Sequence, residues 1–189
     1  MLNYIHILRP HHWVKNILIF IPLLASHEIN DLTLKNSIFA FIAFSLIASC
    51  GYIFNDMVDL KSDKIHPYKK KRPLASGKVT KSQCKLIIIF LLFAVTLISV
   101  QINLKFLCTV IIYFLLTVIY SIILKKKIIL DIIVLSIFYT IRIFAGSQAT
   151  DILISTWLFT FSIFIFFSLA AVKRQIELVY LVKIKKTNV

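Results

Sequence analysis

The sequence contains three aspartates, spaced closely enough that together they could bind a metal ion. Asp56, Asp59 and Asp63 follow a long apolar run, in a chain that has only 8 acidic residues among 189. An α-helix turns about 100° per residue, so the three carboxylates would share an arc of about 60° on one helix face. Carboxylates so placed repel one another unless a cation lies between them, and Mg²⁺ prefers such oxygen ligands together with substrate phosphates. The spacing therefore predicts a magnesium site, with a solvated acidic turn as the alternative.

Basic residues directly follow these aspartates and could bind the phosphates of the same substrate. Lys71 and Arg72 end a run of 4 basic residues, and Pro73 restricts the backbone of Arg72. Ammonium and guanidinium groups can bind the phosphate oxygens that a metal ion leaves free. Membrane topology alone could also explain the lysines of this run. Arg72 is therefore the stronger candidate of the two.

Charged residues at the end of the last apolar run and inside an earlier one are further candidates. Lys173, Arg174 and Glu177 lie at helical spacing, which a local ion pair would also explain. Asp131 and Arg142 lie within an apolar run, where a charge costs at least about 2.5–3.5 kcal/mol unless it is paired or faces water. Arg142 is therefore expected either to line a cavity or to extend toward the nearer membrane surface.

Near the N-terminus, Lys15 and Asn16 are candidates for binding a lipid phosphate. They follow His11, His12 and Trp13 at the start of an apolar run. Such a cluster is more often an anchor at the membrane surface, where tryptophan and basic residues are enriched. The sequence leaves both interpretations open.

The composition indicates that membrane-spanning helices position these residues. Hydrophobic residues make up 59% of the chain, and its mean hydropathy is +0.89. A soluble domain of this size cannot bury so many apolar side chains, whereas a bilayer-spanning helix needs about 20 of them. We therefore predict an all-α, polytopic transmembrane bundle that forms a single domain over residues 1–189, in which Pro22 either kinks the first span or ends its first half. Six windows are expected to span: Trp13–Ser26, Asn36–Phe54, Leu86–Val100, Phe106–Leu124, Ile128–Gly146 and Ile152–Val172.

The basic residues are distributed as the positive-inside rule requires. They concentrate in the N-terminus and in residues 61–85, 125–127 and 173–186, whereas connections 27–35, 101–105 and 147–151 carry at most one lysine each. Both termini and the aspartates are therefore predicted on the cytoplasmic side of a multi-pass protein of the cell (inner) membrane. The same rule accounts for the formal net charge of +14, so membrane lipids are expected as partners and nucleic acid is not.

The aspartate stretch resembles the first aspartate-rich motif of the UbiA superfamily of intramembrane prenyltransferases. The resemblance is carried by Asn55-Asp56-x-x-Asp59-x-x-x-Asp63, His66-Pro67 and the run Lys71–Gly77. Other patterns are similar to the branch of the superfamily that includes decaprenyl-phosphate phosphoribosyltransferase. They are Leu8–Asn16, Tyr120-Ser121, Leu124-Lys125, Asp131, Arg142-x-x-x-Gly146, Trp157 and Lys173-Arg174-x-x-Glu177-Leu178.

This resemblance implies Mg²⁺-dependent transfer of 5-phosphoribose from phosphoribosyl diphosphate to a polyprenyl phosphate. By the same likeness, Asp56, Asp59 and Asp63 would be the catalytic, metal-binding residues. The substrate-binding residues would be Lys15, Asn16, Asn55, Lys71, Arg72, Arg142, Lys173, Arg174 and Glu177. Because family members are similar to one another in having about nine spans, six windows imply a partial bundle that lacks the C-terminal helices. A homo-oligomer could complete such a bundle.

Three other functions remain open at the level of sequence. A related enzyme could transfer a prenyl group from a prenyl diphosphate to an aromatic acceptor, so that the isoprenoid is the electrophile instead of the nucleophile. A truncated, non-catalytic relative could bind only lipid or a protein partner. A small-molecule transporter would use Asp131 and Arg142 to line its pathway.

Overall fold

Apolar segments form α-helices throughout the computed structural model, which describes the backbone of residues 2–187 and the side chains of residues 4–176 and 179. Within this part of the chain there is no β-strand. A helix satisfies its own backbone N–H and C=O groups, which a bilayer core cannot do. The α-helices are α1 (Leu2–Leu8), α2 (Ile21–Ser26), α3 (Asp31–Val58), α4 (Leu60–Ile65), α5 (Lys81–Ile102), α6 (Leu104–Ile122), α7 (Ile128–Thr150) and α8 (Thr156–Thr187).

Among the described residues, five helices are long and apolar enough to cross a membrane. They are α3, α5, α6, α7 and the part of α8 from Thr156 to Ile176. Each of these helices overlaps one of the second to sixth predicted windows, with ends that differ by up to five residues. The prediction of an all-α, polytopic bundle is thereby confirmed.

The first predicted window, Trp13–Ser26, differs from the single span that was expected. Residues Pro10–Phe20 form a 3-10 helix, and α2 continues directly from it. Pro22 lies in the first turn of α2, a helix position at which proline, which has no N–H to donate, is tolerated. The helix type therefore changes next to the proline. Laid end to end, the two segments would extend about 30 Å, because a 3-10 helix rises about 2.0 Å per residue and an α-helix 1.5 Å.

Helix α3 lies at the centre of the bundle and contacts α1, the 3-10 helix Pro10–Phe20, α5, α6 and α7. Small side chains on α3 allow close approach of its neighbours. At Gly51, an added Cβ would lie 2.6 Å from Cγ2 of Thr117 on α6. Helix α8 packs against α7. Helix α3 therefore delivers Asp56, and the junction to α4 that follows it, to a point that several other segments can reach.

The polar segment between α3 and α5 folds back toward the end of α3. It contains α4, a 3-10 turn at Lys69–Lys71 and a loop in which the N–H of Val79 donates to the carbonyl of Pro73 at 3.1 Å. Gly77 has a φ of 77°, a left-handed conformation that glycine adopts without strain. This compact loop positions Arg72 over the aspartates.

Candidate functional site

The predicted helix through the three aspartates is interrupted at Asp59, which separates α3 from α4 with φ −85° and ψ 2°. The helical hydrogen bonds of the two helices meet at Asp59: its N–H donates to the carbonyl of Asn55, and its carbonyl accepts from the N–H of Asp63, each at 2.9 Å. In near-helical geometry, residues seven apart lie about 20° apart around the axis, whereas Asp59 is offset by about 40–60°. This offset is small, and it is the partners that separate the aspartates: Arg72 binds Asp56 and Asp63, whereas Asp59 pairs with Lys125.

The guanidinium group of Arg72 bridges Asp56 and Asp63. Its Nη1 donates to Oδ1 of Asp56 at 3.0 Å and to Oδ2 of Asp63 at 2.6 Å. Both aspartates are buried, each with 2% of its surface exposed. Buried carboxylates require such a partner, because an unpaired charge in a protein interior is strongly destabilising. The structure thus brings together three of the predicted site residues.

A second arginine, Arg9, also binds Asp56, and it was not among the predicted site residues. Its Nη2 donates to both carboxylate oxygens of Asp56, at 2.6 and 2.7 Å, and its guanidinium lies 5.4 Å from the ring centre of Tyr52. The backbone of Arg9 is left-handed, with φ 53° and ψ 57°, which is uncommon for any residue but glycine. The only sequence signal was its position within the quoted stretch Leu8–Asn16.

Asp59 is paired with Lys125, which lies in the 3-10 turn between α6 and α7. Nζ of Lys125 lies 2.5 Å from Oδ1 of Asp59 and 3.0 Å from Oδ1 of Asn55. The amide nitrogen of Asn55 donates to the other oxygen of Asp59 at 3.0 Å. The sequence analysis quoted Lys125 within the pattern Leu124-Lys125 and in a basic turn explained by topology, but it assigned Lys125 no role at the site. The distance from Lys125 to Asp59 is a property of the fold.

The three aspartates do not converge on a single metal position. Among the described residues, no group of three or more His, Cys, Asp or Glu side chains could hold a metal ion. Asp56 and Asp63 instead form one pair of oxygen donors, and Asp59 lies apart with Asn55. Mg²⁺ is usually bound by few carboxylates together with substrate phosphates. The donor chemistry of these residues therefore fits Mg²⁺ bound with a diphosphate, and it does not fit a closed cage of three carboxylates.

A cavity of about 460 Å³ opens beside Asp59 and extends between the helices. Aromatic side chains line much of it: Tyr52, Tyr113, Tyr120, Phe138 and Tyr139. Its basic lining residues are Arg9, Lys15, Lys125, Arg142 and Lys173, and Asp59 is the one carboxylate among the lining residues described. The excess of basic side chains favours anionic ligands, and the aromatic rings favour ligands that also have an apolar part.

Arg142 lines this cavity, which decides between the two positions expected for it. Its surface is only 4% exposed. Nε donates to Oδ1 of Asn16 at 2.8 Å and Nη2 to the hydroxyl of Tyr113 at 3.3 Å, while Nη1 donates to the carbonyl of Phe138. The amide of Asn16 in turn donates to Oγ of Ser45 at 3.0 Å. Arg142 and Asn16 thus link α7, the 3-10 helix and α3.

The pattern Arg142-x-x-x-Gly146 also has a packing explanation. Residues four apart lie on the same helix face, and at Gly146 an added Cβ would lie 1.9 Å from the carbonyl oxygen of Ile19. Gly146 therefore allows backbone contact between α7 and the 3-10 helix. This contact places Lys15 at the cavity, with Nζ 5.6 Å from the ring centre of Tyr139.

A smaller cavity of about 180 Å³ adjoins the first at Tyr120, Lys125 and Lys173. Asp131 lies in its wall, accepts a hydrogen bond of 2.6 Å from the hydroxyl of Tyr120, and lies 3.8 Å from Nη1 of Arg174. The structure therefore brings Lys173 and Arg174 of α8 toward the main cavity.

Lys71 is exposed, and within the described residues it forms no ion pair with the aspartates. The side chain of Glu177 lies outside the described residues. His12, which the sequence left as a possible anchor, lines the cavity, and its ring centre lies 5.0 Å from that of Tyr52. Partial burial lowers the pKa of His12 to about 4, and the charges of His11, Lys15, Arg9 and Lys173 add to this effect.

Comparisons with known proteins agree with this architecture. The UbiA prenyltransferase family model matches residues 17–177. Nodulation protein NoeC of Azorhizobium caulinodans is 34% identical over 95% of this chain and 59% of its own length. Decaprenyl-phosphate phosphoribosyltransferase of Mycolicibacterium smegmatis is 33% identical over 90% of this chain and 55% of its own. The chain therefore spans little more than half the length of these two relatives.

A solved structure shares the fold. A UbiA homologue from Archaeoglobus fulgidus, bound to DMAPP and Mg²⁺, superposes with a TM-score of 0.75 over 88% of this chain and 61% of that one. The two sequences are 18% identical, so the likeness is one of architecture.

Proposed function

The chain belongs to the UbiA prenyltransferase family, and on this basis we propose that it transfers 5-phosphoribose from phosphoribosyl diphosphate to a polyprenyl phosphate. The reaction would take place at the cytoplasmic face of the cell membrane and depend on Mg²⁺. Relatives named decaprenyl-phosphate phosphoribosyltransferase support this choice of substrates. A relative of comparable similarity has another name, NoeC, so the substrates themselves are part of the proposal.

The observation that carries the proposal is the composition of the main cavity. One end is formed by Asn55 and Asp59 beside the aspartate pair, and its wall contains basic side chains and aromatic rings. A phosphoribosyl donor and a lipid phosphate are both anionic, and the lipid also carries an apolar chain. A basic, aromatic-lined cavity between membrane helices suits this pair of substrates.

In this proposal, Asp56 and Asp63 bind the diphosphate through the metal, and Asp59 with Asn55 supports them. Bound Mg²⁺ would stabilise the charge that develops on the departing diphosphate. The bond between C1 of ribose and the diphosphate oxygen breaks, and a bond forms between C1 and an oxygen of the lipid phosphate. Because that phosphate is already anionic, no strong general base is required.

The other basic residues would bind the remaining phosphates. Lys15, Arg142 and Lys173 line the main cavity, and Arg174 lies at the adjoining one. Guanidinium and ammonium groups bind phosphate oxygens through charge-assisted hydrogen bonds. We assign these residues to the lipid phosphate and the 5-phosphate of the donor.

The test is phosphoribosyl transfer by the purified chain, with labelled phosphoribosyl diphosphate and a polyprenyl phosphate, in the presence and absence of Mg²⁺. We expect a metal-dependent lipid product that the variant Asp56→Ala does not form. The variant Lys70→Ala is the matched control, since Lys70 is exposed in the same polar segment and lies outside the aspartate cluster.

Other outcomes of this assay would contradict the proposal. Product from a prenyl diphosphate and an aromatic acceptor, with none from phosphoribosyl diphosphate, would instead identify a prenyl transfer enzyme. No product from either pair, with a relative active in the same assay, would favour a non-catalytic lipid-binding protein.

A further inference from the structure

The aspartate cluster is neutralised by basic side chains of the chain itself. The ion pairs are Arg9–Asp56, Arg72–Asp56, Arg72–Asp63 and Lys125–Asp59, with separations between 2.5 and 3.0 Å. Three carboxylates thus face three cations. A site balanced in this way has little net negative charge with which to attract a free divalent cation.

Each arginine contacts its carboxylates through a single nitrogen atom. Arg72 uses only Nη1 for Asp56 and Asp63, and Arg9 uses only Nη2 for Asp56. A guanidinium group has five N–H donors in a planar fork. Within the described residues, the remaining nitrogens of both arginines form no hydrogen bond. These donors can therefore bind a second anion.

The two arginines are more exposed to water than Asp56 and Asp63, the aspartates that they bind. The side chains of Arg9 and Arg72 are 17% and 24% exposed, whereas that of Asp56 is 2% exposed. A phosphorylated ligand that approaches from water therefore meets the guanidinium groups before it meets the carboxylates. Opposite charge also favours this first contact.

We propose that Arg9 and Arg72 exchange partners during binding. They bind Asp56 and Asp63 in the free protein, and they move to phosphate oxygens when a diphosphate enters together with a divalent cation. Metal binding is thereby coupled to diphosphate binding. The inference rests on the proposed function only in requiring a diphosphate ligand, and it holds whichever group is transferred.

The exchange keeps every charge paired. When the guanidinium groups leave, a divalent cation replaces their positive charge beside the two buried carboxylates, and the arginines gain phosphate oxygens as partners. Without the diphosphate, a metal ion would have to displace the arginines into water with no new partner. Binding of the metal ion alone is therefore disfavoured.

The first experiment measures the affinity of the purified chain in detergent for Mn²⁺, from the EPR signal of the free ion, with no diphosphate present. The wild type is expected to bind weakly. Arg72→Gln removes the competing cation and should bind Mn²⁺ about tenfold more tightly, since a nearby like charge weakens cation binding strongly at short range. Arg72→Lys keeps the charge and should resemble the wild type.

The second experiment measures binding of methylenediphosphonate by titration calorimetry, with Mg²⁺ in excess over the diphosphonate. Here the same variant, Arg72→Gln, should bind about tenfold more weakly, because the ligand loses a charge-assisted hydrogen bond. Opposite changes for metal alone and for diphosphate are specific to partner exchange. Lys70→Gln, an exposed lysine of the same turn, should change neither affinity.

Two results would overturn the inference. One is tight binding of Mn²⁺ by the wild type without diphosphate. The other is weaker Mn²⁺ binding in Arg72→Gln, which would mean that Arg72 supports the metal site only structurally. If this variant does not purify as a folded species, Arg9→Gln tests the same exchange at Asp56. No turnover is needed, so a failed transfer assay would leave these results valid.

Discussion

At the scale of single residues, Arg142 combines a buried charge with neutral partners. Its hydrogen bonds go to an amide, a hydroxyl and a backbone carbonyl, and its guanidinium lies within 6 Å of three aromatic ring centres. Such an environment satisfies part of the donor fork without cancelling the charge. The remaining positive field is directed into the cavity.

We predict that Arg142→Gln raises the KM for the polyprenyl phosphate about tenfold, because one charge-assisted hydrogen bond contributes about 1.5–3 kcal/mol. The KM for phosphoribosyl diphosphate should change little. Steady-state kinetics with each substrate varied in turn would measure both values. An equal rise in both would show that Arg142 acts on the shape of the whole site.

The lowered pKa of His12 predicts how the stability of the protein depends on pH. Its pKa is lowered from 6.5 to about 4 in the folded protein. Between these values the unfolded chain binds a proton at His12 that the folded chain does not. The free energy of unfolding therefore decreases as the pH falls from 6.5 toward 4, and the part that depends on neutral His12 is fully present only above pH 6.5. The variant His12→Gln should therefore lose less stability over this range than the wild type.

Thermal unfolding in detergent at several pH values would test this expectation. His27→Gln is the control, because His27 is exposed in the loop between α2 and α3. If His12→Gln and the wild type show the same dependence on pH, the histidine is not kept neutral by its surroundings.

At the scale of helices, the two buried glycines differ in what opposes a larger side chain. At Gly146 the obstacle is the backbone carbonyl of Ile19, whereas at Gly51 it is the side chain of Thr117. A side chain can rotate, and a backbone segment packed between helices must move as a unit. The contact at Gly146 therefore limits the spacing between α7 and the 3-10 helix.

We predict that Gly146→Ala destabilises the protein by about 1–3 kcal/mol, the usual cost of overpacking. Gly51→Ala should cost less, because Thr117 can turn away. Denaturation followed by circular dichroism would compare the two variants. Equal losses would mean that α7 and the 3-10 helix separate as readily as a threonine side chain rotates.

Hydropathy predicted the long helices well, and it predicted their local form less well. Helices α3 and α5 to α7 match their windows, because a bilayer requires both an apolar surface and internal hydrogen bonds. A 3-10 helix and an α-helix can have the same composition, so the sequence did not reveal that the helix Pro10–Phe20 is of the 3-10 type. The interruption at Asp59 was missed because it changes the backbone of a single residue between two helices, which the spacing of the aspartates does not reveal.

The candidate site was predictable only in part. The spacing of Asp56, Asp59 and Asp63 identified it, since the pattern is local. Arg9 lies 47 positions from Asp56 and Lys125 lies 66 positions from Asp59. Contacts at such separations depend on how the helices pack, and a single sequence does not encode them in any local pattern.

At the scale of the whole molecule, the distribution of charge predicts an orientation in the membrane. The polar segment that contains Lys70 should face the cytoplasm, and the turn at Asn103 should face the opposite side. Single cysteines at these two positions, in a chain whose Cys50, Cys84 and Cys108 are replaced by serine, would be labelled from opposite sides by a membrane-impermeant maleimide. Labelling of both from one side would refute the orientation.

The three cations that neutralise the aspartates come from separate parts of the chain, at positions 9, 72 and 125. During synthesis, the aspartates therefore emerge after their first partner and well before their last. Asp59 has no cationic partner until the turn that follows α6 has been made. Completion of the ion pairs therefore requires that the N-terminal segment, the polar loop and the α6–α7 turn have all come together.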